Sequence, residues 1–204
     1  MNRKFISKSN RVLRKILNSK ENLDIIQDFI ETFLKIKIQE IKLNSYLKIR
    51  SKYLPKEENF GIADVRIKTS QQEELNIGIQ FVDGYYAQNK MLLYYAQIHS
   101  NQLEYPDNRK LAKTITINLL DFNYLKSEQY FNKIIIPSKA EKQLELYVIE
   151  LPKFECTQKE VINKQEAWMT YLCGEMQEKV LQKFNKIRKL DNLLEEYWKN
   201  ETMQ

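Results

Sequence analysis

Residues 60–82 read FGIADVRIKTSQQEELNIGIQFV, and their pattern decides the fold class. From Ala63 to Lys68, apolar and polar side chains alternate, with β-branched Val65 and Ile67 among them. That is the period of a half-buried strand. Leu75–Val82 forms a second such run. The polar stretch Gln71, Gln72, Glu73 and Glu74 between them reads as a turn, so the pair predicts a β-hairpin. Downstream, Gly84 opens a predicted helix to about Ser100, with Leu92, Leu93 and Ala96 marking its apolar side and Tyr95 and Ile98 beside them. KTITINLLDF (113–122) and LELYVIEL (144–151) predict two further strands, the second ended by Pro152.

Upstream, Phe5 to about Lys37 carries apolar residues at helical spacing. Asn18 and Ser19 divide it, with Ser19 or Asn22 as the N-cap. Ile36–Leu47 alternates loosely enough for a short strand, and Pro55–Asn59 is a polar loop. Toward the C-terminus, helices are expected around Glu166–Leu172 and Glu175–Lys199, broken at Gly174. Val180, Phe184, Ile187, Leu190 or Leu194, and Tyr197 approximate an apolar stripe. Its use is packing on its own domain or, alternatively, pairing with a second copy as a homodimer. The order of elements predicts an α/β fold, a mixed central sheet flanked by helices. The expected organisation is one domain over residues 1–204. It comprises basic N-terminal helices (1–37), an α/β core (38–151) and C-terminal helices (152–204).

Composition narrows the function classes. A chain of 204 residues that is 43% hydrophobic is too apolar for disorder, and 4 Gly with 4 Pro exclude collagen-like and linker classes. Lys+Arg 33 against Asp+Glu 27 gives 33 − 27 = +6. The charge is uneven: Arg3, Lys4, Lys8, Arg11, Arg14, Lys15 and Lys20 make residues 1–20 +7 with no acid, leaving 26 − 27 = −1 for the rest. Localised basic charge points to a polyanion such as nucleic acid, with a solvated helix face as the plain alternative. Two cysteines, Cys156 and Cys173, lack metal-ligand spacing and suit a reducing, cytoplasmic setting. A single histidine, His99, weakens multi-histidine zinc sites and Ser-His-Asp chemistry. No apolar run reaches the roughly 18–20 residues of a membrane span, and no apolar stretch follows the basic N-terminus as in a signal peptide.

Asp64 in its strand, Ile77-Gly78-Ile79-Gln80 in the next, Lys90 and Tyr94-Tyr95 in the helix, Gln102-Leu103, and Ile115–Phe122 form an ordered set. Ile149-Glu150-Leu151-Pro152-Lys153-Phe154 and Trp168 continue it, and Asp24–Leu34 fits its start more loosely. In this order the chain resembles the PD-(D/E)XK nuclease family transposases, the recombination-promoting nucleases, over roughly residues 15–172. The resemblance implies a restriction-endonuclease-like fold and Mg²⁺-dependent cleavage of DNA, in which one or two ions held by hard oxygen ligands polarise the phosphate and activate a water. It assigns Asp64 as a metal ligand and Gln80 as the group near the water. Lys90 is a candidate phosphate contact, and Glu31, on the N-terminal helix, is a candidate extra metal ligand read from the sequence beside the resemblance. Arg11, Arg14 and Lys15 are the nucleic-acid-binding candidates of the basic segment.

One position departs from the pattern: where the family has its metal-binding Glu, this chain has Gly78. Glycine cannot ligate a cation or orient water. Glu74 has the right strand parity but lies about 13 Å back along an extended strand. Residues 84–103 contain no acid, which leaves Asp83 as the nearest substitute. A side chain at position 78 would project from the same face as Gln80, so Gly78→Glu is the change expected to rebuild the set. The plain readings are a salt bridge for Asp64 (Lys90 being one partner), sheet hydrogen bonding for Gln80, and a structural role for His99. Asn118 and Asp121 read as sheet-end or turn residues. Two functions are therefore expected. One is a PD-(D/E)XK endonuclease with a degenerate Mg²⁺ site. The other is a catalytically inactive nuclease fold that binds nucleic acid or a protein complex, for example a phage-encoded inhibitor of host defence.

Overall fold

The structure, a computed structural model, describes residues 12–44, 61–82, 84, 86–102, 112–136, 144–154, 161 and 163–202. Residues 12–17 are helical, and a 3₁₀ turn (Lys20–Asn22) leads into α1 (Leu23–Leu34). The break between them is sequence-encoded. Ser19 Oγ accepts from Glu21 N at 3.3 Å, and the buried Asn22 Nδ2 donates back to Ile16 O at 2.8 Å. Strand β1 (Ile38–Leu43), β2 (Ala63–Thr69) and β3 (Glu74–Val82) follow, then α2 (Ala87–Asn101). The chain continues through β4 (Lys113–Leu120), β5 (Phe131–Ile136), β6 (Leu144–Glu150) and a 3₁₀ turn (Leu151–Lys153). It closes with α3 (Lys164–Leu172), α4 (Glu178–Leu181) and α5 (Asn185–Thr202).

The six strands form one mixed sheet in the order β1-β2-β3-β4-β6-β5. β1, β2 and β3 are antiparallel, β3, β4 and β6 parallel, and β5 runs antiparallel to β6. The expected hairpin is β2–β3, and its turn uses the left-handed Gln72 (φ 64°) with Thr69 N bonded to Glu73 O.

Strand parity separates two unlike faces. Val65, Ile67, Ile77, Ile79, Ile117, Leu119 and Ile149 face one way, in one apolar core with Ile25, Ile26, Phe29, Ile30 and Phe33 of α1, Trp168 and Met169 of α3, and Ile187, Leu190 and Leu194 of α5. Each fully buried Ile or Phe there contributes about 1.5–3 kcal/mol. The other face presents Asp64, Asn76, Gly78, Gln80, Thr114, Thr116 and Asn118, most of it beneath α2. A smaller apolar cluster of Val82, Leu120, Leu146 and Val148 receives only Ala87 and Met91 from that helix.

The structure corrects several expectations. Leu92 and Leu93 are 43% and 52% exposed and Ala96 is exposed, while Ala87, Met91, Tyr94, Tyr95 and Ile98 point inward. The helix turns its tyrosines to the sheet because the sheet surface there is polar and offers hydrogen-bond partners. Strand β5 was not foreseen. The C-terminal helix is interrupted over 182–184. Ile187, Leu190 and Leu194 of its apolar stripe are buried in the chain's own core, with Phe184 and Tyr197 partly buried against it. No helix among the described residues is long and apolar enough to cross a membrane.

Candidate functional site

The hairpin register sets Asp64 directly opposite Gly78, with Gln80 two residues further along the same face. Asp64 is half-buried. Its Oδ1 accepts from Asn44 Nδ2 at 2.6 Å, and the same amide donates to Asn76 Oδ1 at 2.6 Å. Asn76 Nδ2 in turn donates to Ile98 O of α2 at 2.8 Å. The carboxylate therefore heads a chain of neutral amides running under the helix.

The space facing Gly78 is filled. A Cβ placed there would lie 1.8 Å from Ile98 Cδ1 and 2.8 Å from the Tyr94 hydroxyl. Tyr94 OH lies 3.0 Å from Ala63 O and 3.2 Å from Ile79 O and shares its one proton between them, spanning β2 and β3. A Cβ at Gly61 would meet the same hydroxyl at 2.4 Å. Gly78→Glu is thus not a simple restoration: its first carbon already collides with buried side chains.

Gln80 is 0% exposed and donates to Asn118 Oδ1 at 2.6 Å. Asn118 Nδ2 donates to Tyr147 O at 3.0 Å and Thr116 Oγ1 at 3.3 Å, so this residue bonds across the middle of the sheet rather than at its end. Gln80 Oε1 is buried without a hydrogen-bond partner. Lys90 is half-buried on α2, one turn before Tyr94 and on the same side of the helix.

Other candidates do not converge on Asp64. Glu31 Oε1 accepts from Ile38 N at 2.8 Å and Gln27 Nε2 at 3.2 Å. Its helix packs on the opposite face of the sheet. Ile38 is paired with Thr69, five residues or about 17 Å along β2 from Asp64. Glu74 pairs with Arg66 at 2.6 Å; that hydrogen bond outweighs partial burial and holds its carboxyl below the usual range. Arg14 and Lys15 ride on residues 12–17, whose Val12, Leu13 and Ile16 sit in the core on the opposite face. Lys15 Nζ lies 5.0 Å from the centre of the Tyr197 ring. Arg11 and Asp83 fall outside the described residues. Among the described residues, no group of three or more His, Cys, Asp or Glu is placed to hold a metal ion.

The open part of this face, on β1 and β2, mixes signs: Glu40 with Lys42, Arg66 with Glu74, and Lys68 between Glu40 and Glu74 in register. His99 Nδ1 lies 3.0 Å from Thr114 Oγ1, and its ring stacks on Tyr95. Glu150 and Lys153 of the Glu-Leu-Pro-Lys segment pair at 2.8 Å and anchor the loop after β4. Glu150 accepts from Tyr124 N and Leu125 N, while Lys153 donates to Leu125 O and Ser127 O. Trp168 is buried, edge-on to Phe29, and donates to Asp28 Oδ2 at 3.0 Å.

Sequence reasoning missed Asn44, Asn76, Ile98 and Gly61 as parts of this site and had Tyr94 only as half of the Tyr94-Tyr95 pair of the resemblance. The glycines were the available signal. Of only 4 in the chain, Gly78 lies within β3 and Gly61 just before β2, and a strand glycine marks a close approach by another group.

The family described as PD-(D/E)XK nuclease family transposase matches residues 10–203. The mixed six-stranded sheet flanked by helices is of its restriction-endonuclease-like type. No curated protein and no solved structure matches the chain.

Proposed function

Because the chain belongs to the PD-(D/E)XK nuclease family transposases, we propose that it is a catalytically inactive member that engages nucleic acid without cutting it. The observation that carries this reading is Gly78 opposite Asp64, with the volume above the glycine occupied by Tyr94 and Ile98. Nucleases of this family generally use Mg²⁺, which demands near-octahedral oxygen ligation and gives up its waters reluctantly. The residues present do not fit that ion. One carboxylate faces two neutral amides, and Asp64 Oδ1 already accepts from Asn44. The nearby acids do not compensate, since Glu74 is about 13 Å along β3 and Glu31 lies across the sheet. Gln80, which would orient water in an active relative, is held by Asn118.

The nucleic-acid part of the reading rests on the family and on the +7 carried by residues 1–20. The test uses the full chain with supercoiled plasmid and Mg²⁺ or Mn²⁺, beside Asp64→Ala, and fluorescence anisotropy with labelled duplex DNA and RNA. The expected result is no nicking above the Asp64→Ala control, together with salt-sensitive binding. Nicking that Asp64→Ala abolishes overturns the inactivity. Absence of binding to either duplex at low salt overturns the nucleic-acid assignment.

A further inference from the structure

We propose that the edge of the sheet where β3, β4 and β6 end binds the unpaired bases of a single nucleic-acid strand, with Tyr86, Phe122 and Tyr124 as the stacking surface. The three strands are parallel and finish level, with Val82, Leu120 and Glu150 side by side in register. Beyond those ends, aromatic residues follow the order of the strands. Tyr86 comes four residues after Val82 and precedes α2 as its N-cap. Gly84, between them, lies against Phe122, so that a Cβ there would be 3.8 Å from the ring. The Phe122 and Tyr124 rings meet edge to face with centres 6.3 Å apart, and Tyr124 N donates to Glu150 at the end of β6. Among the described residues, the aromatic side chains left exposed are Tyr86, at 75%, and Tyr124, at 37%, and both belong to this edge. Tyr86 also holds a left-handed backbone (φ 57°), which is unfavourable for a bulky residue and is not offset here by burial of the ring.

The basic segment reaches the same edge from the opposite face of the sheet. Leu13 and Leu17 line an apolar cavity together with Ile62, Ile79, Phe81 and Leu119, which stand near the ends of β3 and β4. Asn18 Nδ2 then donates to Ile62 O at 2.6 Å, which fixes the end of residues 12–17 there. Arg14 and Lys15 are carried on that stretch, and the remaining cations of the +7 segment, Lys20 apart, precede them in sequence. The loop after β4 holds Asp121, Lys126 and Glu128 and brings no positive excess of its own. Cations beside the row therefore attract the phosphates, and the row itself offers ring faces. That pairing suits a single strand, whose bases stack on aromatic side chains while cations track its backbone. In a duplex the base faces are already covered by their neighbours, so the aromatic row discriminates against it. The inference rests on the nucleic-acid reading above and adds which form of nucleic acid is preferred.

The test is fluorescence anisotropy on the full chain at one low salt concentration, with three labelled probes of equal length: oligothymidylate, an abasic DNA strand and duplex DNA. The abasic strand carries the phosphates without the bases, and oligothymidylate should bind about tenfold tighter than it. Tyr86→Asn keeps a residue that tolerates the left-handed backbone and removes the ring. It and Tyr124→Ala should each weaken oligothymidylate binding about tenfold and leave the abasic and duplex affinities unchanged. Tyr124→Phe should bind as the parent does, because the ring face and not the hydroxyl makes the contact. Equal affinity of the parent for oligothymidylate and the abasic strand overturns the stacking row while the nucleic-acid reading stands. Tyrosine variants that bind oligothymidylate as the parent does, or that weaken all three probes alike, do the same. Absence of binding to every probe overturns the nucleic-acid reading itself. If Tyr86→Asn lowers the melting temperature, the comparison of Tyr124→Ala with Tyr124→Phe decides alone.

Discussion

Glu150 is a fully buried carboxylate whose Oε1 takes two backbone N–H groups and the Lys153 ammonium. Removing only the lysine leaves an uncompensated buried charge, which costs about 3–5 kcal/mol. Lys153→Met should accordingly lower the melting temperature by roughly 10 °C. Glu150→Gln combined with Lys153→Met should recover part of that loss, because the glutamine oxygen still accepts from Tyr124 N and Leu125 N. A melting temperature unchanged in Lys153→Met would show the pair to be dispensable. Asp191 links stability to pH. Burial, with Glu195 and Glu178 nearby, raises its carboxyl above the ordinary value, against the hydrogen bond from Tyr171. An acid raised in the folded state stabilises the fold while protonated and loses that contribution as pH climbs from about 3.9 through the raised value. Asp191→Asn keeps an acceptor for Tyr171. It should melt a few degrees above the parent at pH 7, with the gap closing below about pH 4. Equal melting curves at pH 7 would contradict this.

Among the elements, the strands with clear period-2 patterns were legible from sequence: β2, β3, β4 and β6 all stand where alternation or a β-branched run put them. β5 was not, because Phe131–Ile136 ends in three consecutive isoleucines without alternation and lies at the sheet edge, where pairing rather than patterning defines it. The inward face of α2 was misread for a related reason. Helical periodicity presumes an apolar floor, and this floor is Asn, Gln and Thr. Asp64, Gly78 and Gln80 could be aligned because they share one hairpin. Asn44, Asn76 and Tyr94 reach the site through tertiary pairing 20 to 32 positions apart, which no local pattern encodes. The edge position of β5 also has a physical consequence. Ile135 is 46% exposed there, and Lys133 stands on the same face two residues away. A lysine on an edge strand discourages pairing with another chain. Lys133→Val leaves Glu145 its bond to Lys113 at 2.8 Å. It should increase self-association in light scattering, and an unchanged particle size over a tenfold concentration range would contradict that.

At the scale of the whole molecule, charge and fold are separable. The excess of +6 lies in the first twenty residues, while the described sheet face carries paired acids and bases. If nucleic acid is bound, the electrostatic part of its affinity should belong to that segment. Replacing Arg11, Arg14 and Lys15 by Gln should then reduce the slope of log affinity against log salt by up to about 3. An unaltered slope would assign the segment to solvent.

The ion pairs from Asp24 to Lys186 and Lys189 join positions 162 and 165 residues apart, and Trp168 reaches Asp28 across 140. During synthesis on the ribosome, α1 therefore emerges long before the helices that cover it. Ile25, Ile26, Phe29 and Phe33 can meet the strands first, but their contacts with Trp168, Met169, Ile187, Leu190 and Leu194 form only after α3 and α5 have left the exit tunnel. A nascent chain stalled before α3 and α5 would leave that side of α1 without its covering helices and open to chaperones and proteases.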